Sequence, residues 1–192
     1  MSYLSELTVL TLGHSTRSRD EFISVLKAHK INLVVDIRMV PRSRYNPQFN
    51  KEPLSAALKI ENIQYVHLPE LGGFRRPRSD SPNMALQDKS LRGYADYMET
   101  KEFTENLLKL IALAKGNHVV VMCTEALPSR CHRSLLSDAL TIRGIKVVHI
   151  LNLNHKFNHE LSATAVVEGT KITYPLYVKE SPQKTLTDFP AL

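Results

Sequence analysis

The feature that most constrains this chain is a regular alternation of short, β-branched apolar runs with amphipathic helical segments, which continues through about 150 of the 192 residues. The runs that predict buried strands lie at residues 8–12, 33–37, 63–68, 118–122 and 146–150. Such alternation is typical of an α/β fold. We therefore expect an open, mainly parallel sheet of about five strands, flanked by helices.

Capping and turn residues mark the helices between these strands. Ser18 and Glu21 form an S-x-x-E pattern, which predicts the N-terminus of the first helix, and Pro53 suits the first turn of the second. Helical spacing returns between residues 91 and 114 and again between 135 and 140. Residues 69–89 lack periodicity, which predicts a long irregular loop, either a functional lid or a disordered segment.

The C-terminal part of the chain is less regular. Residues 172–178 favour an additional edge strand, within a C-terminal extension that we place at residues 160–192. No repeat or composition shift marks a second domain, so we expect one α/β domain over residues 1–192.

Composition predicts a cytoplasmic protein without a membrane partner. No apolar run approaches the roughly 20 residues that cross a bilayer, and the first residues do not resemble a secretory signal. The two cysteines favour reduced thiols over a disulfide framework. The formal net charge of +6 suits an anionic partner, but an ordinary soluble surface explains it equally well.

Polar residues follow every predicted strand, and those after the fifth, around Asn152 and Asn154, are less distinctive than the other four sets. These four are found in the segments 13–16, 36–44, 67–73 and 123–133, which read GHST, DIRMVPRSR, HLPELGG and CTEALPSRCHR. Because the carboxyl ends of parallel strands meet at one edge of a sheet, we expect these segments to form one ligand site there.

The same four segments resemble the family catalogued as domain of unknown function 488. The resemblance includes Tyr94 and Tyr97 before the longest helix and covers approximately residues 8–150. It implies a small, mainly prokaryotic cytoplasmic protein, and it carries no established activity.

Arginines at the strand ends predict an anion site. Arg38, Arg44 and Arg133 could surround a phosphate or carboxylate with charge-assisted hydrogen bonds, helped by backbone amides of a helix that begins after Ser129. Further residues predicted to contact the substrate are His14, Ser15, Ser43, His67, Gly72 and Gly73. The alternative is structural: salt bridges from Asp36 or Glu125 would then connect the loops.

The segment after the fourth strand carries the most reactive side chains. Glu125, Cys131 and His132 are the candidate catalytic residues, since a helix N-terminus and nearby arginines favour a Cys131 thiolate. Together with Cys123 they could bind zinc or iron, although their spacing matches no standard zinc pattern and no cofactor is predicted. Two buried core thiols are the simpler alternative.

Three functions remain open. The first is an enzyme acting on a small phosphorylated, nucleotide or nucleic-acid-derived substrate, with Glu125 or Cys131 in acid–base or nucleophilic roles. The second is a non-catalytic nucleic-acid-binding module that uses the basic loop 74–78. The third is a thiol or metal sensor at the two cysteines.

Overall fold

The main sheet has six strands in the order β3-β2-β4-β1-β5-β6. A computed structural model describes residues 7–176. The strands are β1 Thr8–Gly13, β2 Leu33–Asp36, β3 Gln64–His67, β4 Val119–Cys123, β5 Lys146–Ile150 and β6 Lys156–Asn158. The first five are parallel, and β6 runs antiparallel to β5. The predicted α/β class with a mainly parallel sheet is confirmed.

Within the part of the chain that the structure describes, five α-helices flank this sheet. They are α1 Arg19–Ala28, α2 Lys51–Ile60, α3 Lys89–Met98, α4 Lys101–Ala114 and α5 Arg133–Thr141. The Ser18 hydroxyl accepts a hydrogen bond from the Glu21 amide, so α1 begins where its capping pattern predicted. The helix expected after Ser129 begins instead at Arg133, because Pro128–Arg130 forms a 3-10 turn. None of the helices within residues 7–176 is long and apolar enough to span a membrane.

Alternate residues of the central strands supply two apolar cores. Val34 and Val120 pack with Phe22 of α1 and Leu58 of α2 on one face. Val35 and Val121 pack on the other face, against residues of α3, α4 and α5 such as Tyr94, Leu107 and Leu136. Because both faces are covered, the central strands β2 and β4 are buried along their whole length, which explains their unbroken apolar sequences.

The C-terminal edge strand lies elsewhere than the sequence suggested. It is β6, whereas the predicted segment 172–178 contributes β8 (Lys171–Thr173), which pairs with β7 (Val166–Glu168) in a separate two-stranded sheet. Residues 177 and 178 lie outside the described residues. The short β6, whose three residues are all exposed to some degree, has no apolar pattern to reveal it.

The irregular segment between β3 and α3 is held by a buried carboxylate. Asp96 of α3 accepts hydrogen bonds from the Ser81 hydroxyl (2.6 Å), the Asn83 side-chain amide (2.8 Å) and the Arg78 backbone amide (2.8 Å). The Arg75 guanidinium lies 3.7 Å from the centre of the Tyr97 ring. These contacts fix the segment against α3, on the side of the sheet where polar strand ends gather.

Candidate functional site

A cleft of about 340 Å³ opens at the carboxyl ends of β2 and β4. The residues after β4 form one wall: Cys123, Thr124, Glu125, Arg130, Cys131 and His132. The opposite side of the cleft is formed by two segments. One follows β2 and includes Arg38 and Met39, and the other contains Gly73 and Phe74. The parallel sheet therefore brings together residues that lie almost 100 positions apart in sequence, at the edge where α/β proteins bind ligands.

Two cysteines and a histidine form a compact cluster in this cleft. Cys123 ends β4, Cys131 follows the 3-10 turn, and His132 is the N-cap of α5. One ligand atom from each lies within 4.8 Å of the others. Cys131 Sγ lies 3.7 Å from His132 Nδ1. All three are at most 9% exposed.

The two thiols have opposite electrostatic environments. A hydrogen bond with Cys123 lowers the pKa of Cys131, and His132 and Arg133 lower it further against the opposing effect of burial. The same hydrogen bond, together with burial, raises the pKa of Cys123. Cys131 is therefore the thiolate of the pair, and Cys123 is the thiol that stabilises it.

The imidazole of His132 is held by its neighbours. Its centre lies 4.9 Å from that of Tyr94, whose hydroxyl donates a hydrogen bond to the Leu71 carbonyl. His132 Nε2 is buried and has no hydrogen-bond partner among the described residues. A buried polar atom without a partner is uncommon in proteins and suggests that a ligand satisfies it.

Two charged side chains of the cleft remain free to meet a ligand. Glu125 and Arg130 are exposed, and within residues 7–176 neither forms an ion pair. Glu125 was a sequence candidate. Arg130 is not among the predicted substrate contacts, although its position two residues before His132 and directly before Cys131 is a signal in the sequence.

Arg38 lines the cleft but its charge is already balanced. Its guanidinium donates to both carboxylate oxygens of Asp36, at 2.9 and 2.6 Å, and to the Phe49 carbonyl at 2.7 Å. Asp36 also accepts a hydrogen bond from the Tyr65 hydroxyl. This network corresponds to the structural alternative for Asp36.

His14 and His67 support Arg38. His14 Nε2 accepts from Arg38 Nη1 at 3.2 Å, while His67 Nε2 donates to the Arg38 carbonyl at 2.8 Å. Burial, and then the Arg38 charge, lower the pKa of His14 to about 4, so its ring is neutral and able to accept. Neither histidine lines the cleft.

The three arginines predicted to bind one anion lie in different places. Arg133 is buried, and its guanidinium donates to the carbonyls of Glu125 and Ala126. Arg44 is exposed, and only Arg38 of the three lines the cleft. The structure thus does not gather these arginines around the cleft.

Of the other residues predicted to contact the substrate, some lie in the cleft and others lie outside it. The amide of Ser15 donates to the Thr124 carbonyl, and the hydroxyl of Ser43 accepts from the Asn46 amide. Gly72 packs against Met39 outside the cleft, whereas Gly73 lines it beside His132. Of the residues predicted to bind substrate or to act in catalysis, the cleft therefore brings together Arg38, Gly73, Glu125, Cys131 and His132.

The family assignment follows from the matched region. A family model described as domain of unknown function DUF488 matches residues 18–140. The chain belongs to this family. The DUF488 match includes Cys123, Cys131 and His132 and ends within α5, before β5. No curated protein and no solved structure matches the chain. Since DUF488 membership names no activity, function has to be argued from the site.

Proposed function

We propose that this DUF488 protein is an enzyme that holds one zinc or iron ion with Cys123, Cys131 and His132 and acts on a small anionic substrate in the cleft. The observation that carries the proposal is the proximity of two sulfurs and an imidazole nitrogen, all within 4.8 Å of one another, at the wall of an open cleft. Thiolate and imidazole are ligands that both metals accept.

The spacing of the ligand atoms suits a tetrahedral ion. Zinc–sulfur and zinc–nitrogen bonds of about 2.3 and 2.0 Å at a tetrahedral angle separate the two ligand atoms by about 3.5 Å. Cys131 Sγ and His132 Nδ1 are 3.7 Å apart. Three protein ligands leave a fourth position for water or substrate, which is typical of catalytic rather than structural zinc sites.

The surrounding side chains fit hydrolysis or group transfer. A metal ion lowers the pKa of bound water, and the free carboxylate of Glu125 is positioned in the same cleft to accept a proton. Arg130 supplies a cation for the substrate anion. A small phosphorylated, nucleotide or nucleic-acid-derived compound has the charge and size for this cleft.

The lowered pKa of Cys131 favours a second candidate function. Without a metal, a Cys131 thiolate beside His132 is a nucleophile or a redox-sensing thiol, with Cys123 as its partner. Metal binding would compete with this function at Cys131, because coordination occupies a lone pair of the same sulfur.

The nucleic-acid-binding alternative has less support. Arg75 packs on Tyr97, and Arg78 lies 3.4 Å from the Glu99 carboxylate. In the loop 74–78 this leaves Arg76 and the 84% exposed Phe74 as free groups. One cation and one aromatic ring make a small surface for a phosphate backbone.

Metal loading separates the first two functions. We expect the purified protein to bind one equivalent of Zn²⁺, and Co²⁺ in its place to give a thiolate-to-cobalt charge-transfer band. Cys131→Ser removes one of the two sulfur ligands and should weaken the band and the affinity, whereas Glu125→Gln should keep both and lose turnover of a substrate found by screening phosphate esters. Metal-free protein whose Cys131 alone accounts for turnover would support the second function and contradict the first.

A further inference from the structure

A chain of buried polar groups runs from α5 and the C-terminal segment into the centre of the sheet. Asp138 Oδ1 lies 2.8 Å from His159 Nε2, and His159 Nδ1 lies 2.9 Å from His149 Nε2. His149 Nδ1 is 2.7 Å from the Thr11 hydroxyl. Sequence analysis identified none of these four residues as functional.

The series of hydrogen bonds continues from Thr11 to the cleft. Arg133 Nη1 donates to the Thr11 hydroxyl at 3.4 Å, and Nη2 of the same guanidinium donates to the Glu125 and Ala126 carbonyls. Arg133 is 1% exposed, and its Nε has no partner among the described residues. The orientation of this buried guanidinium is thus set by the Thr11 hydroxyl on one side and by two carbonyls of the loop 124–126 on the other.

The two ends of this series have fixed hydrogen-bond directions. The Asp138 carboxylate only accepts, so His159 donates to it from Nε2, while His159 Nδ1 pairs with His149 Nε2. His149 Nδ1 pairs with the Thr11 hydroxyl, whose oxygen accepts from Arg133. Burial, and then His159 and Arg133, lower the pKa of His149 to about 3, in agreement with a neutral ring.

We infer that Thr11, His149, His159 and Asp138 are positioning residues for the cleft: through Arg133 they hold the loop 124–126 and thereby set Glu125 and the approach to the cysteine pair. The inference rests on the proposed function of that cleft. It also assigns a role to His149 and His159, which lie beyond the residues that the DUF488 model matches.

Thr11→Val tests the chain at its centre. Valine keeps the β-branched shape in this buried strand and removes the hydroxyl that joins His149 to Arg133. Thr11→Ser retains the hydroxyl. Tyr174→Phe is the matched control, because it removes a different hydrogen bond to Asp138, on Oδ2, and leaves the chain intact.

Two readouts are needed for each folded variant. The first is Co²⁺ affinity, which we expect Thr11→Val to weaken by about tenfold, the lower end of the effect of an outer-shell partner, because Thr11 acts through Arg133 and not on a ligand itself. The second is the rate of Cys131 alkylation by iodoacetamide in chelator-treated protein, which we expect to change in the same variant. Thr11→Ser and Tyr174→Phe should resemble the unsubstituted protein in both.

The outcomes are distinguishable. Wild-type affinity and wild-type alkylation in Thr11→Val would overturn the inference. If the unsubstituted protein binds no Co²⁺, the proposed metal function fails, and the alkylation rates alone then decide whether the chain positions the site. If Thr11→Val does not fold, His149→Asn interrupts the same chain at its link to His159, and the same two measurements apply.

Discussion

Gly73 lies directly against the imidazole of His132. A Cβ atom at Gly73 would stand 2.2 Å from His132 Nδ1 and 2.6 Å from its Cγ, well inside van der Waals contact. Tyr94 packs against the same ring, so the imidazole has little room to move away. The absence of a side chain at Gly73 is therefore what allows His132 its place beside Cys131.

Gly73→Ala should consequently weaken metal binding by at least about tenfold, because the added methyl displaces a ligand ring. Competition with a chromophoric zinc chelator measures the change. Gly116→Ala is the matched control, since no atom lies within 4 Å of its added Cβ. Equal affinities in the two variants would show that His132 does not contribute to the metal site.

The two cysteines should differ in reactivity with pH. The pKa of Cys131 is lowered from its ordinary value of 9.0, while that of Cys123 is raised, so at pH 6 iodoacetamide should modify Cys131 and spare Cys123. Peptide mass mapping after chelator treatment measures both sites. Zn²⁺ should protect Cys131. A profile in which both thiols react only near pH 9 would contradict the assigned thiolate.

Asp36→Asn should lower the free energy of unfolding by about 3–5 kcal/mol, since it leaves the buried Arg38 guanidinium without its counter-charge. Urea denaturation measures the loss. Glu61→Gln breaks the half-exposed pair with Lys27 and should cost less than about 1 kcal/mol. Similar losses in the two variants would mean that the Asp36–Arg38 pair is no more important than a surface contact.

Stability should fall as the pH drops from about 6.5 to 4. The pKa of His14 is lowered to about 4 in the folded protein, by burial and then Arg38, so between these values the unfolded chain binds more protons. This contribution, on the order of 3 kcal/mol, is complete above pH 6.5 and lost as pH falls through the folded pKa. Urea unfolding of the unsubstituted protein and of His14→Gln at several pH values measures this contribution. If the free energy of unfolding depends on pH with the same slope in both proteins, His14 is not its source.

The sheet was predictable because its strands carry a local signal. β5 has the bounds that its apolar run predicted, and the cap at Ser18 marked the start of α1. By contrast, β6 has three exposed residues and is defined by its pairing with β5 rather than by its own pattern. Strands of that kind cannot be recognised from sequence periodicity.

The site was predictable only in part, because charge at a strand end does not reveal what the charge contacts. Arg38 and Arg133 matched an anion site by type, yet they bind the distant Phe49 carbonyl and Thr11 hydroxyl. Asp138 did offer a signal: a carboxylate three positions after Leu135, on the buried face of α5. Its partner His159 is 21 residues away, beyond any local pattern.

The shortness of β6 also affects how copies of this chain meet in concentrated solution. Exposed sheet edges recruit strands from other molecules, and proteins limit this with short, charged edge strands. Here the outer strand offers three residues, and the first of them is Lys156. A second copy could therefore add to this edge over one or two hydrogen-bonded pairs at most, too few to begin an intermolecular sheet.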